Sequence, residues 1–339
     1  AIAWLAAQHP PGCDRAETAC VGFADDVNVD LGSAGLALLA SAEYRRTTGD
    51  DRFLPWSRRL AAFIAAMQKN DGDFCHLYDA SAGRRDERTR LLYYSGEAAF
   101  ALARYALLDD RGAPAGLDRA SIASAVDRAL DYLTGKNYGY FAGQFFYGED
   151  HWTCLALDAA WELLPDAARR DRYADFCEGF ARFIDRSQFH EGEGGAIAQP
   201  DLVGSYGFTP LMTPHPTPVG SRSEALVSIY RIASRRGHAE VAREAFHLLE
   251  GRFDRDHAQR HRGRRLGLDR EIGKDVAHQR LVAERAAEGG AVARVPGRLV
   301  ERRAHPARRT GQAVQARVAD HLDDRGNSWV RKCSGFKAT

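Results

Sequence analysis

Apolar residues along the first 250 positions fall into paired stripes of helical period. RLAAFIAAMQ places Leu60, Phe63, Ile64 and Met67 at i, i+3, i+4 and i+7, which is one face of a helix. The preceding GLALLASAEY is rich in Ala and Leu, has no Pro, and carries only its leading Gly, so its propensity is strongly helical. The pattern returns in EAAFALARYALL with IASAVDRALDYL, in CLALDAAWELL with YADFCEGFARFI, and in EALVSIYRIA with VAREAFHLL. It predicts four helix pairs: Leu31–Thr47 with Arg52–Gln68, Tyr94–Leu108 with Asp118–Leu133, Asp150–Leu164 with Ala167–Arg186, and Ser221–Arg236 with Ala239–Glu250. A repeat of roughly 50–60 residues is the mark of stacked hairpins, each burying its apolar face only against its neighbours. The expected fold class is therefore all-α.

The connections alternate in character. TTGDD at 47–51, PDAARRD at 165–171 and RRGH at 235–238 are short and polar. Asp51, Asp118 and Asp166 are expected to cap the helices that follow, because a carboxylate accepts the free N–H groups of a first turn. The segments Lys69–Tyr93, Thr134–Glu149 and Ser187–Gly220 are long and rich in aromatic residues and Gly. Long connections with aromatic content are functional more often than disordered. All three are expected at one end of the stack, the natural place for a site.

The candidate chemistry lies at the starts of the first helices. They open Tyr94-Ser95-Gly96-Glu97, Asp150-His151-Trp152 and Ser221-Arg222-Ser223-Glu224. Equivalent helix ends of stacked hairpins share a rim, so carboxylates, an imidazole, an arginine and aromatic faces converge there. That set suits a sugar: aromatic rings stack on pyranose faces and paired carboxylates do acid and base work. Each residue has a structural alternative, Asp150 and Ser221 as N-caps, Glu97 and Glu224 as first-turn acids that complement the helix dipole. A second cluster holds Asp71, Asp73, His76, Tyr78 and Asp79, and a third Glu191 and Glu193. The alternatives are a hairpin-closing turn and a solvated loop. Asp150, Glu97 and Asp73 are the candidate catalytic residues. Tyr94, His151, Trp152, His76, Tyr78, Arg222, Glu224, Glu191 and Glu193 are the candidate substrate-binding residues.

FIAAMQKNDGDFCHLYD, YYSGEAAFALARY and EDHWTCLALDAAWEL resemble the α/α-toroid proteins of the six-hairpin glycosidase superfamily, and are similar to the helical C-terminal domain of glucuronyl C5-epimerases. The resemblance covers about Asp25–Glu250. It implies an (α/α) toroid with a site in a funnel at one end, incomplete here at about four to five hairpins. It further implies a hydrolase using Asp, or a Glu/Asp pair, with uronic-acid-containing glycans among the expected substrates; Arg222 is placed to pair with a uronate carboxylate. No defining catalytic pair aligns residue by residue, so Asp150 and Glu97 are chosen by position. A non-catalytic toroid that binds a glycan or a protein is the alternative. A terpenoid or peptide cyclase is a third reading: ADDVNVD (Asp25, Asp26, Asp30) is loosely like the acidic cluster of terpenoid cyclases.

Composition divides the chain near Gly251. The first 250 residues carry 26 Lys and Arg against 35 Asp and Glu, a formal −9, and the last 89 carry 21 against 11, a formal +10. Thirty of the 33 aromatic residues precede the break. The expected domains are a toroid over 1–251 and a basic Arg-rich tail over 252–339. The tail reads as an out-of-frame translation of a GC-rich gene; a disordered extension and a nucleic-acid-binding segment are the other readings. Its 18 Arg to 3 Lys and the lack of any Phe, Tyr or Trp from Asp256 to Ser328 speak against nucleic acid.

The expected partner is a carbohydrate or other small molecule, with no nucleic acid and no membrane, and the sequence leaves the oligomeric state open. No metal or other cofactor is expected: Cys75–His76 is the one adjacent Cys-His pair and lacks a second cysteine in a comparable loop. Cys154 and Cys177 sit in helical patterns and read as buried thiols, whereas Cys13 and Cys20 flank a short loop and could pair. The chain starts at Ala1 inside an apolar run and reads as a fragment without its true start. The sequence assigns no compartment, with the cytoplasm slightly favoured. Limited trypsin digestion is expected to clear 252–339 quickly and leave a core ending near Arg252. A tail that survives with the body, and whose deletion unfolds the body, overturns that division.

Overall fold

The computed structural model describes residues 1–108, 110, 112–113, 116–137, 150–189, 204–207 and 215–249. By internal contacts the chain divides into Ala1–Arg264 and Arg265–Thr339, and the described residues all belong to the first unit. The tail, Glu191 and Glu193 lie outside the described residues.

The described residues are mostly helical. The helices are α1 (Ile2–Ala6), α2 (Leu31–Thr48), α3 (Leu54–Ala66), α4 (Tyr94–Ala106), α5 (Arg119–Gly135), α6 (His151–Ala160), α7 (Ala167–Ser187), α8 (Pro216–Arg236) and α9 (Ala239–Leu249). A 3-10 turn at Trp161–Leu163 closes α6. Each helix of a predicted pair is present, and α2 packs on α3, α4 on α5, α6 on α7 and α8 on α9. The first helices of the pairs also pack in succession, α2 on α4, α4 on α6, and α6 on α8.

The row α2, α4, α6, α8 is built from small residues. Ala34, Ala37, Ala98, Ala99, Ala101, Ala103, Ala156, Ala160 and Ala225 are all buried. Small side chains let helix axes approach closely, and helix α4 is buried on nearly every face because it has a neighbour on each side and α5 behind it. The second helices are amphipathic instead. Helix α7 buries Tyr173, Phe176, Cys177, Phe180, Ala181 and Ile184 and exposes Asp171, Arg172, Asp175, Arg182 and Arg186.

Two sets of contacts orient the row. Near the N-termini, Gly32 of α2 lies against Tyr94 and Glu97 of α4, and Gly96 of α4 lies against Trp152 of α6. Near the C-termini, Arg104 of α4 pairs with Glu43 of α2, and Arg235 of α8 pairs with Asp158 of α6 at 2.6 Å. Like ends meet like ends, so α2 runs parallel to α4. Both ion pairs lie at the short-turn end, where Arg58 also forks onto Asp110 at 2.7 Å through Nε and Nη2. Among the described residues no helix is long and apolar enough to cross a membrane.

Several local expectations need correction. Asp118 and Asp166 cap α5 and α7 as expected, but Asp51 does not cap α3. That helix starts later, at Leu54 behind Phe53, with Pro55 in its first turn and no side-chain cap. Nor does Ser221 cap α8, which begins five residues earlier at Pro216 with the His215 ring accepting from the Thr217 N–H. Pro216 and Pro218 sit where a helix tolerates proline, in the first turn; Glu224 is therefore well inside the helix rather than in its first turn. The 69–93 connection contains two strands, Leu77–Asp79 (β2) and Arg84–Asp86 (β3), which join Asn28–Asp30 (β1) in an antiparallel sheet in the order β1-β2-β3. Cys154 and Cys177 are not thiols but a disulfide joining α6 to α7, with Cα atoms 5.6 Å apart, and Cys13 pairs with Cys20.

A Cβ on Gly96 would stand 2.6 Å from Cβ of Trp152, so α4 and α6 would have to separate. Overpacking of this kind costs about 1–3 kcal/mol, which outweighs the ~1 kcal/mol that Ala gains over Gly in a helix. Gly96→Ala is expected to lower the urea midpoint. Gly220→Ala in α8, where an added Cβ meets nothing within 4 Å, is expected to raise it. Equal midpoints in the two variants would show that the helix contact is slack.

Candidate functional site

The site is assembled where the sheet meets the start of α4. Asp30 ends β1 and caps α2, accepting from the Ser33 N–H at 2.6 Å and from its hydroxyl at 3.1 Å. The Leu31 N–H donates to the His76 carbonyl at 2.9 Å, which fastens the 69–93 connection to the same helix end. Val29 faces Tyr78 across β1 and β2, and Tyr78 faces Arg85 across β2 and β3.

His76 is buried at 3% exposure and its two ring nitrogens are both used. Nδ1 accepts from the Leu91 N–H at 2.7 Å. The ring proton is then on Nε2, which donates to the Ser95 Oγ at 2.8 Å. The Ser95 hydroxyl donates in turn to Asp73 Oδ1 at 2.7 Å. Asp73 is 2% exposed and its other oxygen faces Lys69 Nζ at 3.3 Å and Arg90 Nη2 at 3.7 Å. Burial raises the Asp73 carboxyl, but the Ser95 hydroxyl, the Phe74 N–H, Arg90 and Lys69 together hold it below the usual carboxylate range. Burial pushes the His76 imidazole down to about 4, against the pull of Asp73 and with help from Arg90 and Lys69.

Serine, histidine and aspartate adjoin here, yet their polarity is the reverse of an acyl-transfer triad. A nucleophilic serine gives its proton to a histidine nitrogen. In this chain Ser95 gives it to Asp73, and the histidine nitrogen facing Ser95 already carries one. The trio acts as a staple. One imidazole holds residues 91 and 95, and one carboxylate anchors it.

Tyr93 lies inside that staple. Its φ is +73° and its ψ −41°, and the Tyr94 N–H closes onto the Leu92 carbonyl at 2.9 Å. This is the strained hand of the γ-turn. A non-glycine residue in such a region costs about 1–3 kcal/mol and persists only where its surroundings over-determine it. Tyr93 is also the only positive-φ residue other than glycine among the described residues.

Beyond the turn, Tyr94 is half-buried against Gly32, its ring 5.8 Å from that of His76, and burial pushes its phenol up to about 12. Glu97 stands in the first turn of α4 at 7% exposure. Asp150 precedes α6 at 5% exposure, and its side chain does not cap that helix. His151 is buried with its ring 4.8 Å from Trp152, which in turn packs 6.1 Å from Phe100 of α4. The structure thus brings Asp73, His76, Tyr94 and Glu97 to one helix start, and Trp152 and its neighbours to the next.

The remaining predicted residues are placed differently. Tyr78 packs edge-on against Phe63 at 5.5 Å. Arg222 is 1% exposed, donates to the Gly207 carbonyl at 2.6 Å, and lies over the rings of Tyr206 and Phe183 at 5.2 and 5.9 Å. Glu224 is exposed on α8. Ser95, Lys69 and Arg90 are the partners that sequence reasoning missed. Ser95 reads as an ordinary helix-start residue, and Lys69 and Arg90 as solvated charges. Among the described residues no group of three His, Cys, Asp or Glu side chains is arranged to hold a metal ion. The chain matches no protein-family model and no curated protein.

The depressed imidazole makes a pH prediction. Between its ordinary 6.5 and about 4, the unfolded chain binds a proton at His76 that the folded chain does not. Stability contributed by the neutral ring is therefore full above pH 6.5 and is lost as pH falls toward 4, with a slope approaching ~1.4 kcal/mol per pH unit. Urea denaturation from pH 7 to 4 is expected to give a shallower pH dependence for His76→Gln than for the parent. Identical slopes would show that the imidazole is not held neutral.

Proposed function

We propose that this chain is a carbohydrate-active enzyme of the (α/α) toroid class, working as a glycoside hydrolase on a uronic-acid-containing glycan. The observation that carries this reading is the meeting of α2, α4 and α6 at Gly32 and Gly96, with Tyr94, Glu97, Trp152 and the adjacent Asp150 and His151 on the same helix starts. Glu97 and Asp150 are the pair assigned to acid and base roles. One gives a proton to the leaving glycosidic oxygen. The other attacks the anomeric carbon directly, or activates a water to do so, according to the separation of the two carboxyl groups. Asp73, with Ser95, Lys69 and Arg90 around it, supports the site rather than reacting. Tyr94 and Trp152 supply faces for a sugar ring. The pairs α2/α3, α4/α5, α6/α7 and α8/α9 are read as consecutive hairpins of the toroid. The two disulfides favour an oxidising compartment over the cytoplasm.

A specific observation favours a second reading, a toroid that binds a glycan without cleaving it. Glu97 and Asp150 are 7% and 5% exposed, and a reacting carboxylate must reach its substrate. The two readings part on one experiment. Hydrolysis of an unsaturated chondroitin disaccharide, an alginate tetrasaccharide and cellotetraose is followed for the parent, Glu97→Gln and Asp150→Asn, with binding measured in parallel by calorimetry. The hydrolase reading expects each variant to lose about 10²–10⁴-fold in kcat/KM while still binding. Binding by the parent without turnover selects the second reading, and no binding at all ends both.

A further inference from the structure

We propose that residues 87–93 form an acid-released strap, held against the start of α4 by the neutral His76 ring and let go at Leu91 when that ring gains a proton. The strap does not depend on the glycan reading above. It runs between two fixed ends. At one, Asp86 accepts from the Arg88 and Thr89 N–H groups at 2.8 and 3.2 Å. At the other, the chain enters α4. Two polar contacts tie down the middle. The Leu91 N–H donates to His76 Nδ1 at 2.7 Å. The Arg90 guanidinium, 5.7 Å from the centre of the Tyr132 ring of α5, faces Asp73 at 3.7 Å. Leu91 and Leu92 themselves are exposed, so their burial adds little to the hold.

Protonation acts on both contacts at once. An imidazolium is a donor at both nitrogens, so Nδ1–H would point at the Leu91 N–H and that bond is lost. The new charge also stands against Arg90, which disfavours it. The Ser95 side behaves differently. Nε2 donates to the Ser95 hydroxyl in either state, and Asp73, held below the usual carboxylate range, stays largely ionised to accept from Ser95. Release is therefore one-sided: residue 95 stays and residue 91 leaves. The turn at Tyr93, with φ +73°, pushes the same way, because its strain is relieved once residue 91 is free. Among the described residues, the groups facing the ring from its own connection are Asp73, Lys69 and Arg90. Helix α4 presents Ser95 and the Tyr94 ring. The Tyr94 phenol, on which Asp30 and Glu97 bear, is pushed up to about 12 and stays neutral. Helix α2 contributes the Leu31 N–H on the His76 carbonyl. Burial and the two cations outweigh Asp73, so the ring stays neutral down to about pH 4.

Amide exchange followed by NMR on the full chain with both disulfides intact tests the strap, each rate corrected for the intrinsic effect of pH. Between pH 6.5 and 4, opening at Leu91 is expected to increase at least about tenfold, because opening is coupled to uptake of one proton, while amides of α5 and α7 keep their protection. His76→Gln cannot take up that proton and is expected to show no such rise. Should that variant fail to fold, the ring nitrogens of the parent give the second measurement, since opening at Leu91 must follow protonation of Nδ1. Constant protection at Leu91 while Nδ1 titrates overturns the proposal. So does loss of protection in α5 and α7 together with Leu91, which is global acid unfolding, or a rise in His76→Gln equal to the parent's.

Discussion

Close approach between helices is the constraint on which the rest of the described structure depends. Glycine at 32 makes room for the Tyr94 and Glu97 side chains and glycine at 96 for Trp152, and alanine along the facing stripes lets α2, α4 and α6 pack closely. The result is geometric before it is energetic. Helices this close cannot slide past one another without a clash, so their N-terminal ends are held level. Residues far apart in sequence then share one small region, where Tyr94 and Glu97 meet Gly32, and Trp152 meets Gly96. Larger residues at those two positions would bury more apolar area, yet would scatter the helix ends that carry the polar side chains.

Polar order at the site follows from that packing. Once the 69–93 connection is pressed onto α4, Asp73 and His76 lie out of water, and a buried donor or acceptor without a partner costs more than a hydrogen bond gains. The chain meets this with a relay in which every proton has one place. Leu91 donates to His76, His76 to Ser95, and Ser95 to Asp73, with Lys69 and Arg90 offsetting the charge. A neutral imidazole is the member that makes the relay work, because a charged one would have no lone pair for Leu91. The rigid turn at Tyr93 is a consequence of this relay, since its two ends are the relay's own contacts.

Much of the helical architecture was legible in the sequence, because burial of a stripe leaves a trace at every third and fourth position. Leu60, Phe63, Ile64 and Met67 announce α3, and Asp118 and Asp166 announce the caps of α5 and α7. The features that were not legible depend on proximity in space. Nothing local to Cys154 or Cys177 says that α6 and α7 bring them together. The start of α8 at Pro216 was hidden because proline reads as a breaker, although the first turn accepts it. The strands β2 and β3 are three residues each, too short for alternation to register. For the site, residue types were legible at Asp73, His76, Tyr94 and Glu97, but their wiring was not. A serine at a helix start looks like a cap, and only its distance to Asp73 and His76 gives it another role.

Charge bears on the proposed uronate ligand in two ways that oppose each other. The first 250 residues carry a formal −9, which slows the approach of an anionic glycan over the range that salt leaves unscreened, about 8 Å at physiological ionic strength. At contact distance that average no longer applies. There Lys69 and Arg90 face Asp73, and the starts of α4 and α6 present N–H dipoles that neither Tyr93 nor Asp150 caps with its own side chain. Net charge acts mainly on association rate, and local complementarity on specificity and retention. An acidic body is therefore compatible with a uronate ligand, provided the contacts that hold the sugar are made by rings and oriented donors rather than by long-range attraction.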